Sequence, residues 1–121
     1  MTRPLVYIAG PITGDPWGCV RRSTRMAHQL DQLGFDAYLP QLSVLHEIVD
    51  TKPYDYWVNL GLNVLSRCDG LVRLSGDSPG ADREVNHALE LGLPVLRYRG
   101  EQTEWVAYVW AQHAYRQETD R

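Results

Sequence analysis

Apolar positions along the chain keep two alternating rhythms. Short unbroken runs such as L-V-Y-I-A at Leu5–Ala9 read as strands buried on both faces. Between them, apolar residues recur at the three- and four-residue spacing of an amphipathic helix. Residues 21–33 carry Met26, Leu30 and Leu33 on one such stripe, which Gly34 ends. Residues 35–39 predict a second strand, closed by Pro40, and residues 54–68 a second helix. A third strand over 69–74 and a third helix over 79–91, ended by Gly92, follow. The chain closes with a strand over 94–98 and a helix over 104–117 that bears Trp105, Tyr108, Trp110 and Tyr115. Two segments keep neither rhythm. Residues 10–14 (G-P-I-T-G), extended by Asp15 and Pro16, read as a loop. Residues 41–53 read as a long irregular connection, the kind that often serves as a binding loop or lid.

Strands that alternate with helices predict an α/β fold: a parallel sheet of four to five strands with helices on both faces, in three layers. A chain of 121 residues without repeat or linker suits a single domain. Open parallel sheets bind ligands beyond the carboxyl ends of their strands. Here those ends carry residues 10–14, the loop after Pro40, and residues 75–78.

The stretch 78–84, S-P-G-A-D-R-E, makes that crevice chemically specific. It joins the third strand to the third helix. Ser78 suits the N-cap and Pro79 the first helical position. The first amides of such a helix lack intrahelical partners, and its dipole is positive there. The end can therefore hold an anion and favours the ionised form of Glu84 just inside it. The plainer alternative is a well-capped helix with acids in its first turns. Gly10 and Gly14 allow a backbone to approach a ligand closely, or mark an ordinary turn. Residues 10–14 lack the G-x-G-x-x-G pattern and the G-K-[ST] ending, so neither a dinucleotide fingerprint nor a P-loop is indicated. Tyr7 either reaches the crevice with its hydroxyl or bonds within the core. Tyr54 and Trp57 either wall the pocket or pack internally. Arg83 is either a phosphate clamp or a surface residue. Asp69 reads as a turn cap, and Asp77 and Asp82 as solvated acids beside the anion loop.

Composition narrows the field. Hydrophobic residues make up 44% of the chain, enough for a packed core. A net charge of −3 gives no footprint for a nucleic-acid polymer. No run approaches the ~20 apolar residues of a membrane span, and no signal peptide precedes the first strand. Cys19 and Cys68 read as reduced thiols of a cytoplasmic protein. His28, His46, His87 and His113 show no ligand spacing, so neither a metal nor another cofactor is expected. Four Trp and seven Tyr suggest a stacking pocket, an aromatic contact between subunits, or additional core packing.

Three motifs in order carry a family resemblance: Y-I-A-G-P-I-T-G at residues 7–14, L-N-V-L-S-R-C-D-G-L-V at 62–72, and S-P-G-A-D-R-E-V-N-H-A-L-E-L-G-L-P-V at 78–95. Together they resemble the nucleoside 2-deoxyribosyltransferase superfamily, which includes 2'-deoxynucleoside 5'-phosphate N-hydrolases. The resemblance implies a flavodoxin-like sheet and cleavage of an N-glycosidic bond in a small-molecule nucleoside or nucleotide. It puts the catalytic glutamate on Glu84, whose carboxylate would attack the anomeric carbon as in retaining glycosidases. It matches the family's first-strand tyrosine to Tyr7, with Gly10 and Pro11 on the sugar side and Ser78, Gly80 and Ala81 as a phosphate cradle. Ser78 stands where the phosphate-recognising hydrolases carry serine and the transferases an acid, which favours a 5'-monophosphate. Related enzymes are commonly dimers or larger, with a neighbour completing the pocket, and a homodimer joined through Trp105, Tyr108 and Trp110 is the expectation. The sequence departs from the pattern once. Gly61 occupies the place of an aspartate that opens the family's D-L-x-x-L stretch. Either another acid such as Asp55 substitutes, or the protein binds its ligand without efficient turnover.

Overall fold

Successive side chains of β1 (Leu5–Ala9) enter different cores. Val6 and Ile8 join Leu30, Phe35, Val72, Leu96, Trp105 and Val109 on one side. Tyr7 and Ala9 join Leu65, Leu71, Ala81, Val85 and Ala88 on the other. This is the period-two alternation of a strand covered on both faces. The computed structural model describes residues 2–97 and 102–119. Its remaining elements are α1 (Pro16–Gln32), β2 (Asp36–Tyr38), a 3-10 turn (Pro40–Leu42), α2 (Ser43–Val49), α3 (Tyr54–Leu65), β3 (Gly70–Arg73), α4 (Pro79–Glu90), β4 (Val95–Arg97) and α5 (Gln102–Thr119). Among the described residues the four strands pair in parallel in the order β2-β1-β3-β4. Helices α1 and α5 cover the first face, and α3 and α4 the second. This is the expected flavodoxin-like three-layer α/β sandwich. The strand order reverses direction between β1 and β3, and the loops after those two strands pack on each other, Gly10 against Leu74 and Pro11 against Gly76.

Two segments differ from their sequence reading. Helix α1 starts at Pro16, ahead of residue 21, because Asp15 is its N-cap: the Asp15 carboxylate accepts the Gly18 N–H at 3.1 Å, and Pro16 takes the first helical position. Residues 41–53 are not irregular, since the 3-10 turn and α2 occupy most of them. Helix α2 does carry Leu45, Ile48 and Val49 at helical spacing, but its seven residues, none of them buried, are too short a run for periodicity to separate from a loop. Tyr98, assigned by the sequence to the fourth strand, lies outside the described residues.

The final helix also corrects an expectation. Trp105 is 4% exposed, packs edge-on against Phe35 at 5.9 Å between ring centroids, and donates its indole N–H to the Pro94 carbonyl at 3.1 Å. It belongs to the chain's own core and cannot form a subunit contact. Tyr108 and Trp110 remain exposed. The other end of α5 is tied to the sheet through Asp69, which is buried. Its carboxylate accepts the Leu5 N–H at 3.0 Å and the Arg116 Nε–H at 3.1 Å, and lies 3.1 Å from His113 Nδ1. Asp69 is thus an anchor between strands and helix, beyond the turn cap that the sequence suggested. No described helix is long and apolar enough to cross a membrane.

Candidate active site

Tyr7 projects from the middle of β1 onto the face covered by α3 and α4, where it is fully buried. Its hydroxyl donates to Oε2 of Glu84. Glu84 reaches that point because α4 starts where Ser78 caps it: Ser78 Oγ accepts the Ala81 N–H at 3.1 Å, and Pro79 occupies the first position. Glu84 then faces β1 from the second turn of the helix. Helix α3 passes so close to the pair that a Cβ added at Gly61 would lie 2.6 Å from the Tyr7 hydroxyl and 3.4 Å from Glu84 Oε2. Glycine is therefore the residue that this packing admits at position 61.

The pair forms one wall of a cavity of about 90 Å³. Tyr38, Tyr54 and Trp57 supply aromatic surface, Ile12, Val58 and Leu62 aliphatic surface, and Ser43, Gly80 and Arg83 polar groups. Tyr38 stands beside Tyr7 in register across β1 and β2, with ring centroids 5.3 Å apart. Trp57 is fixed by donating its indole N–H to Glu47 of α2 and by an edge contact with His46 at 5.0 Å. Glu84 is the single carboxylate among the described residues that line the cavity. Asp55, the substitute acid that the sequence offered, is exposed and outside the lining.

Burial raises the Glu84 pKa from 4.5 to about 8. The expectation of an ionised Glu84 is thereby corrected. The N-terminal dipole acts over the first turn of a helix, and Glu84 lies beyond it, so loss of hydration outweighs the helix field. Burial also raises the Tyr38 phenol, with smaller contributions from Cys68 and Tyr56.

The sequence candidates divide by position. Tyr7, Gly80 and Glu84 line the cavity, as do Tyr54, Trp57 and Arg83. Gly10, Pro11, Ser78 and Ala81 are outside its lining. Gly10 is wedged between Leu74 and Gln41, where an added Cβ would stand 3.1 Å from Leu74 Cβ. Pro11 packs on Gly76, whose φ of 113° turns the loop after β3. The Ala81 N–H is taken by Ser78. Sequence reasoning missed Tyr38, Ser43 and Ile12. The parity of β2 against β1 could have found Tyr38, since residues paired in register share a face. No group of three or more metal-ligating side chains occurs among the described residues.

A family model described as a domain of unknown function, DUF4406, matches residues 4–97. No curated protein sequence matches the chain. Among solved structures, a 2-deoxyribosyltransferase from the psychrotolerant bacterium Bacillus psychrosaccharolyticus superposes with a TM-score of 0.62 at 20% identity, covering 77% of this chain and 70% of that one. At that identity the likeness concerns the fold.

Proposed function

Because the chain belongs to the DUF4406 family and has the fold of a 2-deoxyribosyltransferase, we propose that it cleaves or transfers the N-glycosidic bond of a (deoxy)nucleoside or its 5'-monophosphate. One observation carries this reading: Glu84, held by the Tyr7 hydroxyl, faces an aromatic-walled cavity bordered by Tyr7 of β1 and Tyr38 of β2. In the reaction the ionised Glu84 carboxylate attacks the anomeric carbon of a furanose, and the bond to the base breaks with its electron pair on nitrogen. The Tyr7 hydroxyl holds one carboxylate oxygen and leaves the other for attack. Water or a second base then displaces the ester, which returns Glu84 as carboxylate. Aromatic faces suit the base. Arg83, which makes no ion pair among the described residues, suits a 5'-phosphate together with the start of α4. The ligand is a small molecule, and the working form a homodimer.

The test is a base-release screen over nucleosides and their monophosphates, followed by chromatography. Release by the unsubstituted chain and none by Glu84→Gln or Glu84→Ala is expected. Equal release by those variants removes Glu84 from the mechanism.

A second reading, binding without turnover, draws on the absence of another carboxylate from the described lining. Acid-base assistance is typically worth ~10²–10⁴-fold in rate. That reading predicts thermal stabilisation by nucleoside monophosphates with no base released.

A further inference from the structure

On the opposite face of the sheet from Glu84, a larger crevice of about 440 Å³ opens between α1, the ends of β3 and β4, and the start of α5. Its size lies within the range of about 300–1,000 Å³ typical of small-molecule sites, whereas the cavity at Glu84 is about 90 Å³. Three arginines line it: Arg22 and Arg25 from α1, and Arg97 from the end of β4. No carboxylate is among the described lining residues. Arg25 and Arg97 make no ion pair among the described residues, and the one polar contact of Arg22 is to Cys19 Sγ at 3.3 Å. The floor is apolar, with Leu74 and Leu96 both buried. Gln29 and Gln102 add neutral donors and acceptors at the sides.

This arrangement runs against the rest of the molecule. The chain carries a net charge of −3, yet three arginines and no described acid line one concavity. Arg22 and Arg25 stand three positions apart on α1, a spacing at which like charges repel. Arg22, Arg25 and Gln29 fall on one helical face, so α1 brings all three to the lining of the crevice. A bound polyanion removes the repulsion, and guanidinium forks match phosphate oxygens in pairs. Phosphates alone would leave the apolar floor empty, whereas a ring system covers it and offers polar edges to the two glutamines.

We propose that this crevice is a second ligand site, taking a nucleoside di- or triphosphate with its phosphates on Arg22, Arg25 and Arg97 and its base over Leu74 and Leu96. The site is separate from Glu84 and stands whether or not the chain cleaves glycosides.

The test follows backbone amide shifts of the ¹⁵N-labelled full chain during titration with adenosine 5'-diphosphate, pyrophosphate and adenosine. Saturable shifts at Arg22, Arg25, Ser75 and Arg97 are expected with the diphosphate. Pyrophosphate should bind more weakly, and adenosine should leave those amides unmoved. Joint replacement of Arg25→Gln and Arg97→Gln, both exposed positions, should raise Kd at least about tenfold, as loss of charge-assisted bonds does. Added salt should weaken binding by the unsubstituted chain, a readout that needs no variant. The proposal is overturned by shifts confined to the neighbourhood of Glu84, by an unchanged Kd in the double variant, or by no saturable shift at all. A single-stranded oligonucleotide that binds the same amides more tightly than the diphosphate overturns it in favour of a polymer.

Discussion

Gly61 reads differently once its surroundings are known. As a sequence position it is a missing aspartate and a helix interior weakened by ~1 kcal/mol relative to alanine. In the fold it is the gap through which the Tyr7 hydroxyl and Glu84 approach α3. Tyr7 is fully buried on a central strand and cannot retreat. Gly61→Ala should therefore destabilise the protein, because overpacking costs ~1–3 kcal/mol against the ~1 kcal/mol gained in helix propensity. Urea denaturation measures the sign, and a stabilised variant would show that α3 yields. Glu84 supports a second prediction, on pH. A carboxyl with a folded pKa of about 8 and an ordinary value of 4.5 binds its proton more tightly in the folded state. Its contribution to stability is thus present below the ordinary value and is lost as pH rises toward the folded one. The melting temperature should fall between pH 5 and pH 8, and Glu84→Gln should flatten that fall. Base release, which needs the carboxylate, should move the opposite way and rise with pH toward about 8. Parallel pH profiles of melting and kcat/KM decide both. A rate already flat from pH 5 would mean that the free protein holds Glu84 ionised.

At the scale of elements, the carboxyl-terminal half of α5 is held by the buried Asp69 carboxylate together with the Thr2, Ser66 and Cys68 carbonyls. Removing Asp69 leaves Arg116, His113 and the Leu5 N–H facing a gap. Breaking a buried ion pair from one side costs ~3–5 kcal/mol, so Asp69→Ala should lower stability by about that much. The loss should appear as faster amide exchange in α5 and at the start of β1, while α4 stays protected. Asp69 also marks what sequence could and could not reach. Its position before β3 was legible, because an acid between a helical stripe and a β-rich run is a turn signal. Its partners were not, since they lie on a strand and a helix far away in the chain. The same division runs through the fold. β1, β3 and α4 were legible because apolar runs and stripes mark them, and Ser78 with Pro79 marks the start of α4. The start of α1 carried the same signal in Asp15 and Pro16, but a proline beside a glycine-rich loop reads equally well as more loop. Within the site, Glu84 was legible as an acid just inside a capped helix that follows a strand, and Tyr7 as a polar group on a buried strand that either reached the crevice or bonded in the core. The protonation of Glu84 was not, because a dipole is a local property and desolvation is set by what packs around it. Ser43 and Tyr38 depend on which way a helix or strand is rotated, and seven or three residues fix that poorly.

Over the molecule as a whole, much apolar surface is concentrated on α2 and the turn before it, where Leu42, Leu45, Ile48 and Val49 are 40%, 48%, 70% and 88% exposed. Ser43 and Pro40 of the same segment line the cavity at Glu84, so a second copy seated on α2 would border its mouth. The aromatic helix α5 is the weaker candidate, because Trp105 is spent in the core and Tyr108 gives its hydroxyl to Glu104 at 2.7 Å. Self-association should therefore depend on α2. Light scattering at micromolar concentration should give a dimer for the unsubstituted chain. Ile48→Asp together with Val49→Lys should give a monomer that remains folded, since neither side chain supports the core, whereas Tyr108→Ser should leave the dimer intact. Dissociation by Tyr108→Ser and not by the α2 pair would move the contact to α5. A monomer from the outset would leave the apolar face of α2 to another partner and require the pocket at Glu84 to work with one chain's residues alone.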